Sequence, residues 1–255
     1  MTDLPLELGR LAADPTAFAL VAARTAGVCF TAPVLAAPGF DWRFRLVAAL
    51  ALAAWMAPLA APMVGSPTSP YGPAWLVANE LLVGGLLGLS ASLLVAGARQ
   101  AGDLVAAQSG LSTASLFDPE SGEELTALGN LYGLLAIAAF LAMDGPLVAA
   151  DALLESFRDV PAGGTAIGRA TAQALFEHAG AALRLAVRAA APPAVALAAA
   201  GVALGWLGRL APSVPLMALS LPIRAALGVL LVLAGLAALA GCLDAAWLGW
   251  ASGGL

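Results

Sequence analysis

Polar side chains are concentrated in one stretch of this apolar chain, residues 99–124, which reads RQAGDLVAAQSGLSTASLFDPESGEE. The centre of the stretch is small, neutral and hydroxyl-rich, with larger apolar side chains interleaved: Gln108, Ser109, Gly110, Leu111, Ser112, Thr113, Ala114, Ser115, Leu116 and Phe117. Four carboxylates follow within seven residues, at Asp118, Glu120, Glu123 and Glu124. Hydroxyl and amide groups donate and accept hydrogen bonds, so the chemistry that this stretch offers is reversible hydrogen bonding.

A membrane span exposed to lipid would not carry this many polar groups. Backbone that is not helical survives at membrane depth only where protein or a water-filled cavity surrounds it. Gly110 can adopt backbone angles closed to other residues, and Pro119 favours an extended conformation for Asp118. We therefore predict that residues 99–124 form a compact loop that lies in or over a passage. An ordinary loop between two spans is the alternative.

Two ionisable residues, Arg24 and Glu80, lie inside apolar blocks. An unpaired charge is costly within a membrane and normally faces protein or water. The two side chains could pair with each other, bind a partner subunit, or take part in a proton or ion relay. Arg24 could also reach the membrane interface with its long side chain. We expect structural pairing, and both residues are candidates for a buried polar site or a subunit contact.

Other ionisable residues give weaker indications. Arg224 follows Leu221-Pro222, where a helix kink would leave carbonyl groups for its guanidinium to bond, and it is a third candidate for a buried polar or subunit contact. His178 is the sole histidine, and one histidine forms neither a metal site nor a catalytic triad. The sequence also lacks the common metalloprotease, nucleophile-elbow, phosphate-loop and paired-carboxylate motifs. It therefore predicts no enzyme activity, no metal and no cofactor.

The composition indicates the kind of element that must carry these residues. The 255 residues are 61% hydrophobic and 11% charged, and the mean hydropathy is +0.92. A soluble protein of this size could not bury so much apolar surface, so we predict an all-α integral membrane protein in contact with lipid. The net charge of -5 comes without a basic tract, which argues against nucleic acid as a partner.

Six apolar blocks have close to the roughly 20 residues that a helix needs to cross a membrane. They are residues 17–37, 46–64, 75–98, 125–143, 189–207 and 225–243. We predict about six long hydrophobic helices arranged in hairpins. Small residues recur at every fourth position of the third block, at Gly84, Gly88, Ser92 and Ala96, and this spacing favours close helix packing.

An amphipathic segment leads into the fifth block, with its polar residues on one side of a helical wheel: Arg169, Gln173, Glu177, Arg184 and Arg188. A continuous helix over residues 168–207 would be about 60 Å long, twice the hydrocarbon core of roughly 30 Å. Such a helix either projects from the membrane or breaks near Pro192-Pro193. A helix lying on the membrane surface is the alternative.

An ordered set of motifs along nearly the whole chain resembles the FliR family, a component of the flagellar type III export gate. The matching residues are Glu80, Gly84, Gly88, Ala101-Gly102-Asp103, Gln108-Ser109-Gly110-Leu111-Ser112, Asp118-Pro119, Phe140-Leu141-Ala142-Met143-Asp144-Gly145, Ser156-Phe157, Pro161, Gly163, Gly208-Arg209-Leu210-Ala211-Pro212 and Leu221-Pro222. Pro146, Ser213 and Thr113 depart from the family pattern, which often has histidine, glutamine and an aromatic residue there. Thr113 removes a bulky group, and Leu116 or Phe117 could take over its role.

The resemblance implies a subunit that joins FliP-like and FliQ-like proteins in a helical export gate of the bacterial inner membrane, within the flagellar basal body. An FlhB-like protein would attach at the cytoplasmic side, and much of the gate would be raised above the membrane plane. Unfolded flagellar proteins would pass through this channel. Residues 108–117 would then be a plug that closes it, with Gly102 and Gly110 as hinge candidates.

The same resemblance implies a single export-gate domain over residues 1–255. Its N-terminal helices would occupy residues 17–98, and the plug loop region residues 99–124. A helical segment would follow over residues 125–167, and a long helical hairpin over residues 168–255.

Three alternatives belong to other functional classes. The virulence-type (injectisome) counterpart shares the overall pattern, and neighbouring genes would separate the two. A small-solute transporter would use Glu80 and Arg24 as a site near the membrane centre and would show matched broken helices in its two halves. A membrane enzyme would need a catalytic constellation.

Overall fold

The computed structural model describes residues 15–36, 39, 41–60, 72–111, 127–163, 168–210 and 216–252 of the chain. Within these ranges the regular elements are seven α-helices. They are α1 (Pro15–Thr31), α2 (Trp42–Ala60), α3 (Pro73–Ser109), α4 (Ala127–Ala142), α5 (Gly145–Asp159), α6 (Arg169–Leu210) and α7 (Leu216–Ser252). The prediction of an all-α membrane protein is confirmed.

Four of the described helices are long and apolar enough to cross a membrane, namely α2, α3, α6 and α7. Helices α4 and α5 are long and apolar enough to cross a membrane only when they are taken together. Their axes differ by 71°, as in a broken span. Each of the six predicted blocks overlaps one described helix, but α1 has 17 residues and α4 has 16. Each is therefore about 25 Å long or slightly less, which explains why the count is four or five and not six.

Helices α3, α6 and α7 continue well beyond the apolar blocks that predict them. Helix α3 has 37 residues and runs through residues 99–109, so the prediction of a loop from Arg99 onward is wrong for these residues. The reason is local, because alanine, arginine, glutamine and leucine prevail there and are good helix formers. Helix α6 has 42 residues and continues through Pro192 and Pro193, so of the two alternatives the continuous helix is the one observed. Its length is about 63 Å.

Contacts divide the described chain into two compact units. The first comprises the described residues of Met1–Leu93, Asp144–Ala179 and Gly249–Leu255. Its apolar core joins α1, α2, the first part of α3 and α5, through residues such as Leu20, Val21, Met56, Leu153 and Phe157. This unit positions the buried charges.

Close helix packing in the first unit depends on small residues, as their spacing predicts. A Cβ atom added to Gly84 would overlap the backbone carbonyl of Arg24, and one added to Gly88 would overlap the Thr31 hydroxyl. The Ser92 hydroxyl donates a hydrogen bond to the Thr31 carbonyl oxygen. Helices α1 and α3 are therefore in backbone contact, whereas Ala96, the next residue of the series, is exposed.

The second unit comprises the described residues of Leu94–Met143 and Gly180–Leu248. Within it, the Trp247 indole donates a hydrogen bond of 3.2 Å to the Ala136 carbonyl oxygen, and its ring centroid lies 4.6 Å from that of Phe140. These contacts join α4 to α7. On α6, the buried residues recur at helical spacing, from Ala182 through Leu185, Ala186 and Ala189 to Leu197. That stripe faces the interior of the unit.

Candidate functional site

The predicted gating segment, residues 108–117, begins at the C-terminal end of α3. Gln108 is half-buried, Ser109 is fully buried, and both are the last residues of the helix. Gly110 follows with a positive φ of 81°, which glycine adopts without steric cost and which commonly ends a helix. Leu111 is exposed at 36%. The other predicted residues of the segment lie outside the described part of the chain: Ser112, Thr113, Ala114, Ser115, Leu116 and Phe117.

Helix α7 packs against the point where the chain leaves α3. A Cβ atom at Gly228 would lie 2.6 Å from the Cβ of Ser109, so only glycine allows this approach. A Cβ atom at Gly110 would lie 2.7 Å from a terminal methyl group of Leu221. We call Ser109 and Gly110 the α3 corner. Its position is set by Gly228 and Leu221, which sequence reasoning missed because more than a hundred residues separate them from it.

The two hinge candidates lie in different surroundings. Gly110 is at the end of a helix, where its amide donates a hydrogen bond of 3.4 Å to the Ala107 carbonyl oxygen. Gly102 is buried in the middle of α3, and a Cβ atom there would overlap the Leu128 carbonyl oxygen. The close approach of α3 and α4 is thus sufficient to explain glycine at position 102. A hinge role remains a prediction for both residues.

Arg24 and Glu80 are fully buried in the first unit and form an ion pair. The Arg24 Nε lies 2.6 Å from Glu80 Oε2, and the Arg24 guanidinium carbon lies 4.2 Å from the centroid of the Phe157 ring. Of the alternatives that the sequence leaves open, the structure contains the pair between these two residues. Sequence reasoning identified both partners from their charge inside apolar blocks.

Further hydrogen bonds join this pair to the end of α5. Arg24 Nη1 donates to the Ser156 carbonyl oxygen at 2.8 Å and to its hydroxyl at 3.2 Å. Arg24 Nη2 donates to the Val160 carbonyl oxygen at 3.0 Å. Glu80 Oε1 accepts a hydrogen bond of 3.0 Å from the Gly163 amide. We call Arg24, Glu80, Ser156, Val160 and Gly163 the Arg24 network.

Two other arginines lie against glycine in the second unit. The Arg224 guanidinium is 3.8 Å from where a Cβ of Gly201 would be, and the Arg99 side chain occupies the space beside Gly133. In both, the Nε atom is buried and has no hydrogen-bond partner among the described residues. The structure therefore places Arg224 between α6 and α7, apart from the Arg24 network. Its predicted role as a buried polar or subunit contact stays a prediction.

This geometry defines the class of protein. It is an all-α membrane protein with a broken span and with long helices of 37 to 42 residues. The family model described as bacterial export proteins, family 1, matches residues 16–249. The chain belongs to this family.

Curated relatives specify the branch of the family. The flagellar biosynthetic protein FliR of Pectobacterium carotovorum subsp. carotovorum is 30% identical over 200 residues, which is 78% of this chain and 76% of the relative. FliR of Escherichia coli (strain K12) is 28% identical over 83% of this chain and 80% of its own length. FliR of Caulobacter vibrioides is 26% identical over 87% of this chain and 89% of its own length.

These similarities confirm the resemblance to the FliR family. They support a subunit of the flagellar type III export gate, located in the bacterial inner membrane at the base of the flagellum. The flagellar branch is therefore favoured over the virulence-type alternative.

Proposed function

We propose that this chain joins FliP-like and FliQ-like proteins to form the channel through which unfolded flagellar proteins cross the inner membrane, with residues 108–117 as its plug. An FlhB-like protein would attach at the cytoplasmic side. The observation that carries the plug assignment is the α3 corner, because helix α3 ends there on a glycine with a positive φ. The gating segment thus starts from a fixed point on a long, apolar helix.

The proposed mechanism has two states of the gating segment. In the closed state, its hydroxyl groups and Gln108 form hydrogen bonds within the segment or to neighbouring subunits, while Leu111, Leu116 and Phe117 fill the channel. In the open state, the passing chain displaces the segment, and backbone rotation at Gly110 accommodates the movement. Helix α3 does not need to unfold in this mechanism, because the turn lies beyond its last residue, Ser109.

The subunit does no chemistry in this proposal, so the driving force comes from other parts of the export machine. The transporter alternative would require Glu80 and Arg24 to be accessible to a solute. Both side chains are instead fully buried, and all three guanidinium nitrogens bond to protein oxygen atoms. The contacts therefore favour a structural role for the pair.

The plug assignment is tested by removing residues 111–117 while Ser109 and Gly110 are kept. The variant is co-expressed with the FliP-like and FliQ-like proteins, and ion leak is measured in cells and in liposomes containing the purified complex. We expect increased leak, because the groups that fill the channel are removed.

A matched control replaces the same seven residues by glycine and serine. It preserves the loop length but removes Leu111, Leu116 and Phe117, so we expect leak between that of the parent and that of the deletion. An assembled gate whose permeability is unchanged by the deletion would refute the plug assignment.

A further inference from the structure

The C-terminal end of α5 lies inside the first unit, where backbone groups have little access to water. Ser156 is 7% exposed, Phe157 is fully buried, and Ala162 just beyond the helix is also fully buried. The last carbonyl groups of any helix have no amide donor within that helix. In a buried position they must be bonded by other groups, because an unpaired polar atom there is costly.

The Arg24 network supplies the bonding groups at this helix end. Arg24 donates to the Ser156 and Val160 carbonyl oxygens at 2.8 and 3.0 Å, and Glu80 accepts from the Gly163 amide at 3.0 Å. Within α5 and its cap, the Val160 amide also donates to Ser156, so this carbonyl is shared between the helix and Arg24. Two helices, α1 and α3, thereby contribute one donor group and one acceptor group to the end of a third.

We propose that Arg24 and Glu80 act together as a side-chain cap that fixes the end of α5 and the turn after it. This role determines which position of the pair carries the cation and which carries the anion. The cation belongs at the C-terminal end of a helix, where the carbonyl groups carry partial negative charge. The carboxylate belongs at the Gly163 amide, which needs an acceptor.

The cap makes a prediction that charge neutralisation alone does not make. If the two charges only balanced each other, an exchanged pair in R24E/E80R would restore the fold, because it retains one cation and one anion. In the cap, the exchange directs a carboxylate towards the Ser156 and Val160 carbonyl groups and a guanidinium towards the Gly163 amide. Neither group can make the required hydrogen bonds.

The experiment measures the maleimide reactivity of A162C in the chain co-expressed with its FliP-like and FliQ-like partners and purified in mild detergent. The native cysteines are removed by C29A and C242A. We expect slow labelling with the parent network and at least tenfold faster labelling in R24Q and in R24E/E80R. In E80Q we expect about threefold acceleration, because the amide oxygen still accepts from Gly163.

A control cysteine at A91C, a buried site on α3, separates local opening from loss of the whole fold. We expect its labelling rate to change less than twofold in E80Q and in R24E/E80R. Equal acceleration at both sites would show that the pair holds the entire unit and would overturn the cap. Protection of A162C in R24E/E80R to the level of the parent would overturn it too, because charge balance would then be sufficient.

Discussion

The Arg24 network and the α3 corner are built from opposite kinds of groups. In the network, a fully buried guanidinium bonds to a carboxylate and to the backbone of α5. At the corner, the described contacts between α3 and α7 are made by a serine methylene, a leucine and two glycines. Separating the members of the Arg24 network would leave a charge unpaired in an apolar interior. Separating α3 from α7 at the corner would lose only packing contacts. Charge thus fixes one region, whereas close packing of small neutral residues sets the position of the other.

The largest effect should follow from R24M, which leaves the Glu80 carboxylate buried without its cation. Removing one partner of a buried ion pair costs about 3–5 kcal/mol, so we expect the purified variant to unfold at a clearly lower temperature or to fail to accumulate. The measurement is thermal unfolding of the subunit in detergent, monitored by the change in intrinsic tryptophan fluorescence.

The double variant R24M/E80M is the control for this prediction, because it removes both charges at similar volume. We expect it to recover part of the stability, and to remain about 1–3 kcal/mol below the parent because carbonyl groups at the end of α5 lose their donor. Stability equal to the parent in R24M alone would contradict the fixed role of the network.

A second test breaks the backbone contact that brings Arg24 to Glu80. In G84A the new methyl group would overlap the Arg24 carbonyl, and we expect a loss of about 1–3 kcal/mol from overpacking. G85A is the matched control, since nothing lies within 4 Å of a Cβ atom there. It should be neutral or stabilising by about 0.5–1 kcal/mol, because alanine favours a helix over glycine. Equal melting temperatures for the two variants would show that α1 and α3 are not held at backbone contact.

The sequence was sufficient for the class of fold and for the residues of the ion pair. Hydropathy located the described helices other than α5. Charge inside apolar blocks identified Arg24 and Glu80, because membranes rarely tolerate such residues without a partner. Ordered motifs were sufficient for the family. These signals are local in sequence or are carried by residue type, so they can be read without coordinates.

The remaining features depend on contacts between distant residues. Hydropathy ended the third block at Ala98, since Arg99, Gln100 and Asp103 are polar, although the helix continues to Ser109. Composition separates apolar from polar segments but does not separate helix from loop. The roles of Ser156, Gly163 and Gly228 followed only from their partners in space. These partners are Arg24, Glu80 and Ser109, and each lies 83 to 132 residues away along the chain.

The third test uses G228A to disturb the packing of α7 against the α3 corner. The added methyl group would lie 2.6 Å from the Ser109 Cβ, so the end of α3 or α7 must shift, at a cost of about 1–2 kcal/mol. We expect increased ion leak through the assembled gate, because the starting point of the gating segment moves. G235A on the same helix is the control, as its Cβ has open space. A gate that remains sealed in G228A would show that the corner does not position the segment.

The last test changes Gly110 itself. In G110A, a side chain must adopt the left-handed φ of 81°, which costs about 1–2 kcal/mol for residues other than glycine, and it must also displace the flexible end of Leu221. Asparagine tolerates this conformation better than alanine, so G110N should lose less stability if backbone strain dominates. Because the cost falls on the turn and not on a buried charge, we expect normal assembly with altered leak in both variants. Thermal unfolding and liposome permeability measured on the same preparations check this order. A larger loss in G110N than in G110A would identify contact with Leu221, and not the backbone angle, as the feature that requires glycine.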